Sequence, residues 1–173
     1  MPRTPLHKPL EFNKLTQSST NENHEHFMRR AMDLARGAVA QGEAPVGAVI
    51  VKDGLVIGQG SNRIYLDNDP IAHAEILAIR EAAKSIGDWR LLGATAYVTL
   101  EPCIMCAAAL IHARVPRLVY GARDVRWGGV GSLFDFSHDP RINHELEVVS
   151  GVMEDEAAEL LKSFFRRLRQ SGR

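Results

Sequence analysis

The stretch "EPCIMC", residues 101–106, contains both cysteines of this 173-residue chain. Two cysteines this close at the start of a helix do not easily bridge each other, and their disulfide would close too small a loop to stabilise much. The spacing suits two thiolates that bind one metal ion. Because one ion needs more than two ligands, the sequence predicts a third ligand elsewhere in the chain.

A second stretch, "PIAHAEILAI" at residues 70–79, supplies that third ligand, because His73 lies in the first turn of a predicted helix. Cys103 and Cys106 lie at positions i and i+3 of another predicted helix and share one face. The partial positive charge at a helix N-terminus favours thiolates. One imidazole and two thiolates suit zinc, and three protein ligands leave the fourth position for water, as in catalytic zinc sites.

Glu75, two residues after His73, is the predicted catalytic acid and base. Zinc lowers the pKa of a bound water to roughly 7, and a nearby carboxylate can take the water's proton and deliver it to a leaving nitrogen. The H-x-E and P-C-x-x-C motifs together are the pattern of zinc-dependent nucleobase deaminases. Either motif alone is weak, since Cys-x-x-Cys also occurs in redox pairs and in structural zinc sites. A structural zinc clip is the alternative interpretation.

The composition favours one globular domain and argues against a membrane protein. The chain is 45% hydrophobic with zero net charge, so no whole-molecule field attracts nucleic acid or a membrane surface. Its longest apolar run, at 44–51, is far too short to span a bilayer. The N-terminus has no apolar segment typical of a signal peptide. Together with the closely spaced cysteines, this predicts a reducing, cytoplasmic location.

The order of apolar patterns predicts a single α/β domain, with helices on both faces of a sheet in three α-β-α layers. Residues 1–23 are rich in Pro, Ser, Thr and Asn without an apolar period, which predicts a flexible N-terminal tail before a domain at 24–173. Asp53 and Gly54 predict a hairpin turn between the first two strands. The predicted strands are "PVGAVIV", "LVIGQG", "ATAYVTL" at 94–100, "RLVYGA" at 117–122 and "ELEVVSGV" at 145–152.

The stretch from about residue 25 to 169 resembles the bacterial tRNA-specific adenosine deaminases, which convert adenosine to inosine at the wobble position (34) of tRNA anticodons. The shared segments are "PVGAVIV", "GSNR", "DPIAHAEILAIR", "YVTLEPCIMCAAALIHAR", "VYGARD", "GSLFD", "INHELEV" and "SFFRRLR". The resemblance implies the cytidine-deaminase fold, with a mixed five-stranded sheet between helices. It also implies a homodimer with one Zn²⁺ per subunit and a tRNA anticodon stem-loop as partner.

The same resemblance implies roles for individual residues. Asn62 would hydrogen-bond the flipped-out base or its ribose, although it could also simply satisfy a turn. Asp124 and Asn143 would lie around the anticodon nucleotides, although each also suits a surface or turn position. The zinc ligands would be His73, Cys103 and Cys106, with Glu75 as the proton shuttle.

The C-terminal run at 162–173 has five basic residues and no acidic one. Such a run suits an RNA phosphate backbone, with Arg166 as a candidate contact, but cations are also favoured at any helix C-terminus. Phe165 lies at the edge of the apolar stripe and could reach the mouth of the active site. Trp127 departs from the family, where a smaller or polar residue is expected. It could stack on an unpaired base, pack half-buried or contact a second subunit.

Deamination of adenosine 34 in tRNA is therefore the leading function predicted from the sequence. A second enzymatic interpretation is deamination of a free base or nucleoside, such as guanine or cytosine, since the zinc chemistry is shared and the pocket selects the substrate. A third interpretation is a non-catalytic, zinc-stabilised RNA-binding subunit. Glu75 argues against it, because a subunit without catalysis does not need that carboxylate.

Overall fold

The structure is a computed structural model that describes the backbone of residues 12–172 and the side chains of residues 23–172. Within that part of the chain, five helices and five strands follow one another. In chain order they are α1 (Phe12–Ala40), β1 (Gly47–Lys52), β2 (Leu55–Ser61), α2 (Ile64–Asp67), α3 (Ala74–Ile86), β3 (Thr95–Leu100), α4 (Ile104–His112), β4 (Arg117–Ala122), β5 (Glu147–Val149) and α5 (Glu154–Gln170).

The strands form one mixed sheet in the order β2-β1-β3-β4-β5. β1 pairs antiparallel with β2 and with β3, whereas β3, β4 and β5 are parallel. Asp53 and Gly54 turn β1 into β2 with positive φ angles of 51° and 76°, as the Asp-Gly pair predicts. The predicted mixed five-stranded sheet is therefore confirmed.

Alternate residues of the central strands face different helices, which produces the predicted three layers. Ala48 and Ile50 pack in a buried cluster with α3 and α4. Val49 and Val51 pack on the opposite face of the sheet, with α1 and α5. Both faces of the sheet are thus covered by helices, and the α-β-α arrangement of the cytidine-deaminase fold is confirmed.

Two glycines in β2 let α3 pack directly on the sheet. A Cβ atom at Gly58 would lie 2.3 Å from the carbonyl oxygen of Ala78, and one at Gly60 would lie 2.4 Å from that of Ala74. Neither distance is possible for a side chain, so any larger residue would push the helix away. The close approach fixes the N-terminal end of α3 against the sheet.

Helix α1 begins at Phe12 and therefore crosses the boundary predicted at residue 24. The chain has no proline between Pro9 and Pro45 and no glycine before Gly37, so nothing in this segment interrupts a helix. The polar composition alone suggested a tail. The remainder of the predicted tail, residues 1–11, lies outside the described residues.

One edge of the sheet collects the loops that carry the predicted site. β3 and β4 are parallel and end at this edge, and the antiparallel β1 begins there while β2 ends there. The residues that follow β2, β3 and β4, and those that precede β1, therefore meet. None of the helices in the described part of the chain is both long and apolar enough to cross a membrane.

Candidate active site

The N-terminal ends of α3 and α4 bring the three predicted metal ligands together. His73 and Cys103 each occupy the extended position just before a helix, and Cys106 lies in the first turn of α4. The Nδ1 atom of His73 lies 3.7 Å from the Sγ atom of Cys103 and 3.5 Å from that of Cys106. The three donor atoms form one group, all within 4.8 Å of one another.

These separations fit one tetrahedral metal ion. With Zn–S bonds of about 2.3 Å and Zn–N bonds of about 2.0 Å, ligand atoms at tetrahedral angles lie about 3.5–3.8 Å apart. The two nitrogen–sulfur distances of 3.5 and 3.7 Å fall within that range. Two sulfurs and one imidazole nitrogen are also the donors that zinc accepts in proteins.

The pKa values of the two cysteines also favour a cation bound between them. The pKa of Cys103 is lowered to about 4, chiefly because the Cys106 thiol and His73 hydrogen-bond to its thiolate. The pKa of Cys106 is raised by that hydrogen bond and by burial. The protein by itself thus favours only one thiolate of the pair. A divalent cation would stabilise both, since metal-binding cysteines must be deprotonated.

Glu75 lies in the first turn of α3 and is only 4% exposed. Its Oε2 atom is buried and has no hydrogen-bond partner among the described residues. Burial raises the pKa of its carboxyl group to about 7. A buried polar atom without a partner is destabilising and uncommon in proteins. Glu75 lines the same cavity as His73 and Cys103, which fits a group that acts on a bound molecule rather than a structural clip.

Two of the candidate metal ligands, His73 and Cys103, line a cavity of about 180 Å³ together with Glu75; we call it the catalytic cavity. Its polar wall also includes Asn62, Asp124 and Glu101. Its remaining walls are apolar, which suits the flat faces of a base. These apolar residues come from the segment before β1, from α2, from the end of β3 and from the loop after β4: Ala44, Val46, Ile64, Leu100 and Trp127.

Asn62, predicted to contact the substrate, is buried and hydrogen-bonded to Glu43, a residue for which the sequence predicted no role. Its Nδ2 atom donates to Oε2 of Glu43 at 3.2 Å. Glu43 is fully buried, and its Oε1 atom accepts the backbone N–H groups of Tyr65 and Leu66. The sequence feature that could have identified Glu43 is its position, because an acidic residue there lies just before a buried strand.

A second missed residue, Glu101, organises the loop that covers the start of α4. Its buried carboxylate accepts the backbone N–H groups of Asp124 at 3.1 Å and Ser132 at 3.0 Å. A Cβ atom at Gly128 would lie 2.5 Å from both the Glu101 carboxylate and the Asp124 carbonyl oxygen. Glu101 and Gly128 therefore fit closely, and this contact brings Asp124 to the catalytic cavity.

A larger cavity of about 660 Å³, the basic groove, adjoins the catalytic cavity. The two share Ala44, Val46 and Leu100 as well as Asp124 and Trp127. Phe165 and Arg166 of α5 line the groove but not the catalytic cavity, and their contact with a substrate stays a prediction. The groove carries five cations and a single acidic residue, Asp124. The cations are Arg123, Arg126, Lys162, Arg166 and Arg169; Arg167 does not line the groove, and Arg173 lies outside the described residues.

The structure does not bring Asn143 to the catalytic cavity. Its Oδ1 atom accepts a hydrogen bond from Arg114 at 3.0 Å, and it lines a separate cavity of about 390 Å³ beside α4. Ile111, Phe136 and Ile142 also line that cavity. The contact of Asn143 with anticodon nucleotides stays a prediction.

Comparisons with known proteins agree with this geometry. The MafB19-like deaminase family matches residues 22–169. A Haemophilus influenzae protein named tRNA-specific adenosine deaminase is 50% identical over 151 residues, which cover 87% of each chain. A solved structure from work on tRNA:A34 deaminases that edit the wobble position is 50% identical with a TM-score of 0.76, covering 79% of this chain and 99% of that one. A guanine deaminase from Nitrosomonas europaea is 26% identical with a TM-score of 0.71, covering 81% of this chain and 83% of that one.

Proposed function

This chain belongs to the MafB19-like deaminase family, and from that premise we propose that it hydrolyses adenosine to inosine at the wobble position of tRNA anticodons. One observation carries the proposal: the cavity lined by His73, Cys103 and Glu75 adjoins a groove lined by five cations, and the two share part of their walls. The cavity suits a base, and the groove suits the phosphates on either side of it.

His73, Cys103 and Cys106 would hold one Zn²⁺ in each subunit. Their donor atoms and separations support this assignment. When bound in such a site, zinc lowers the pKa of water so that a nucleophile is available at neutral pH. The remaining steps depend on side chains of the chain itself.

Glu75 would transfer the proton during deamination. The free Oε2 atom of its buried carboxylate takes a proton from the attacking water as the water oxygen bonds to C6 of adenine. The carboxyl group gives this proton to N1, which receives the electron pair of the C6–N1 double bond. The carboxylate then takes the proton of the new hydroxyl group and gives it to the amino nitrogen, so that the C6 carbonyl forms and the C6–N6 bond breaks to release ammonia. One carboxylate thus acts first as the base and then as the acid, and water and adenosine are converted to inosine and ammonia.

The walls of the cavity would hold the flipped-out base. Val46, Ile64 and Leu100 provide apolar surface, and Asn62 provides a hydrogen-bonding group for the base or its ribose. A nucleotide that is already unpaired in an anticodon loop costs least to extrude. Arg166 and the other groove cations would bind the phosphates of the flanking nucleotides.

Deamination of a free base is the second candidate, because the guanine deaminase from Nitrosomonas europaea is similar in structure. The same zinc chemistry acts on either purine, and the pocket selects between them. The basic groove favours RNA, since a free base has no phosphate to bind there. A non-catalytic RNA-binding subunit is disfavoured by the partnerless oxygen of Glu75.

The decisive experiment measures inosine in a tRNA anticodon stem-loop that carries adenosine at the wobble position. A stem-loop with guanosine at that position, free adenosine, free guanine and free cytosine are the controls. We expect inosine in the first stem-loop and little ammonia release from the free compounds. Ready deamination of free guanine or cytosine with an unchanged stem-loop would assign the protein to free bases instead.

We further propose that two copies form a homodimer in the cytoplasm. Members of the resembled family are usually dimers. Large apolar residues are also exposed in or shortly after α2, the helix that forms one wall of the catalytic cavity: Tyr65, Leu66 and Ile71. The cytoplasm holds the tRNA and keeps the two thiols reduced. Analytical ultracentrifugation would test the dimer, and a single species with the monomer's mass at micromolar concentration would contradict it.

A further inference from the structure

Trp127 lies at the border between the catalytic cavity and the basic groove and lines both. The residue is 63% exposed, which is unusual for one with so much apolar surface. Trp127 is therefore not packed half-buried, which was one of the alternatives left open by the sequence. An exposed aromatic side chain at a cavity mouth is typical of a site that binds a partner.

The backbone around Trp127 is held on both sides. Its N–H donates to the Oδ1 atom of Asp124 at 3.2 Å, and its carbonyl oxygen accepts from the N–H of Ile104 at 3.1 Å. The next residue, Gly128, donates its N–H to the Asp124 carbonyl oxygen at 2.9 Å. The ring is therefore presented to solvent from a fixed backbone, which lowers the entropy lost when a ligand contacts it.

The charge around the ring identifies the class of ligand. Arg123 and Arg126 precede Trp127 in the same loop and line the groove, and Lys162 and Arg169 line it from α5. None of these four cations forms an ion pair with an acidic residue within residues 23–172. An aromatic face beside several free cations matches the chemistry of unpaired nucleic acid, in which a flat base accompanies each phosphate.

We propose that Trp127 is a stacking platform for the nucleobase directly next to the extruded adenosine. The proposal rests on the proposed function and adds a contact outside the catalytic cavity. The target base enters the catalytic cavity, its neighbour lies against the indole ring, and the groove cations bind the phosphates between and beyond them. Base–aromatic stacking tolerates any base, so Trp127 contributes affinity and register rather than a sequence preference.

The first test measures the affinity of the stem-loop for variants at Trp127. Removing one base–aromatic contact should weaken binding about 5- to 150-fold in Trp127→Ala, whereas Trp127→Phe should retain most of the affinity. The matched control is Trp89→Ala, because Trp89 is 56% exposed but lies beside His112 and Arg90 and lines neither cavity. Normal binding by Trp127→Ala would overturn the proposal.

The second test removes the base instead of the ring. Stem-loops are made with an abasic site immediately 5′ or immediately 3′ of the wobble adenosine. In the unmodified protein, one of the two abasic sites should weaken binding by a factor similar to that of Trp127→Ala, and the same site should have little effect in that variant. Equal losses in both proteins would overturn the stacking contact.

Two further measurements separate this proposal from its alternatives. If Trp127→Ala sediments as a smaller species than the unmodified protein, the residue acts through a subunit contact and the stacking proposal is wrong. Deamination of the stem-loop by the unmodified protein tests the proposed function independently. A protein that deaminates the stem-loop but does not respond to changes at Trp127 would overturn only this inference.

Discussion

Oε2 of Glu43 accepts a hydrogen bond from Nδ2 of Asn62 at 3.2 Å in the interior of the protein. The other oxygen of the same carboxylate accepts the N–H groups of Tyr65 at 2.7 Å and Leu66 at 2.8 Å, at the start of α2. One buried carboxylate thus joins the segment before β1, the residue after β2 and a wall of the catalytic cavity. Asn62 is held in place by a residue that itself lies outside that cavity's lining.

We therefore expect Glu43→Gln to lower kcat/KM for the stem-loop while zinc stays bound. A hydrogen bond to a charged group contributes about 1.5–3 kcal/mol, which corresponds to roughly 10- to 150-fold if all of it positions Asn62. The same substitution in an Asn62→Ala background should have a much smaller effect, because the side chain that Glu43 positions is gone. Equal effects in both backgrounds would mean that Glu43 acts through α2 alone.

Cys103→Ala should lose the metal and much of the stability. Two protein ligands hold zinc poorly, and metal binding is coupled to folding. Zinc per chain by elemental analysis and the thermal midpoint measure the two effects. His138→Ala is the matched control, because His138 is an exposed histidine bound to Glu145 and far from this group in sequence. Full zinc occupancy in Cys103→Ala would remove Cys103 from the ligand set.

Glu75→Gln should keep the fold and the zinc but lose activity by at least about 10²–10⁴-fold. The amide has the shape of the carboxyl group but cannot take a proton from water. Single-turnover deamination of the stem-loop, with zinc content measured in parallel, checks this expectation. Turnover at the rate of the unmodified protein would exclude Glu75 as the proton-transfer group.

Replacing Arg166 and Arg169 together with Gln should weaken stem-loop binding and flatten its salt dependence. Both residues line the basic groove, and each single-strand phosphate contact contributes about 0.7 to the slope of log affinity against log salt. Loss of both contacts should therefore reduce the slope by about 1.4. Arg167→Gln is the matched control, since Arg167 is exposed on the same helix but does not line the groove. If the double substitution left the slope unchanged, these arginines would only stabilise the C-terminal end of the helix and would not bind phosphates.

Much of the site could be predicted from the sequence because its chemistry lies in two short segments. His73 and Glu75 are two residues apart, and Cys103 and Cys106 are three apart, so each pair spans the start of one helix and short-range geometry keeps its members close. Apolar alternation and the Asp53-Gly54 turn similarly identified the strands. Glu43 and Glu101 were missed because their partners lie about 20 to 30 residues further along the chain, and no local pattern marks a carboxylate that accepts distant N–H groups.

The sequence by itself identified the candidate ligand set and the candidate proton-transfer group, and it determined the order of the five strands along the chain, because short-range spacing and periodicity specify them. Only the tertiary structure decided which surface residues converge. It joined Trp127 to the α5 cations Arg166 and Arg169 around one groove, and it placed Asn143 beside α4 instead. These placements follow from how the loop after β4 and helix α5 pack on the sheet. Such packing depends on contacts between distant segments, which spacing along the chain does not encode.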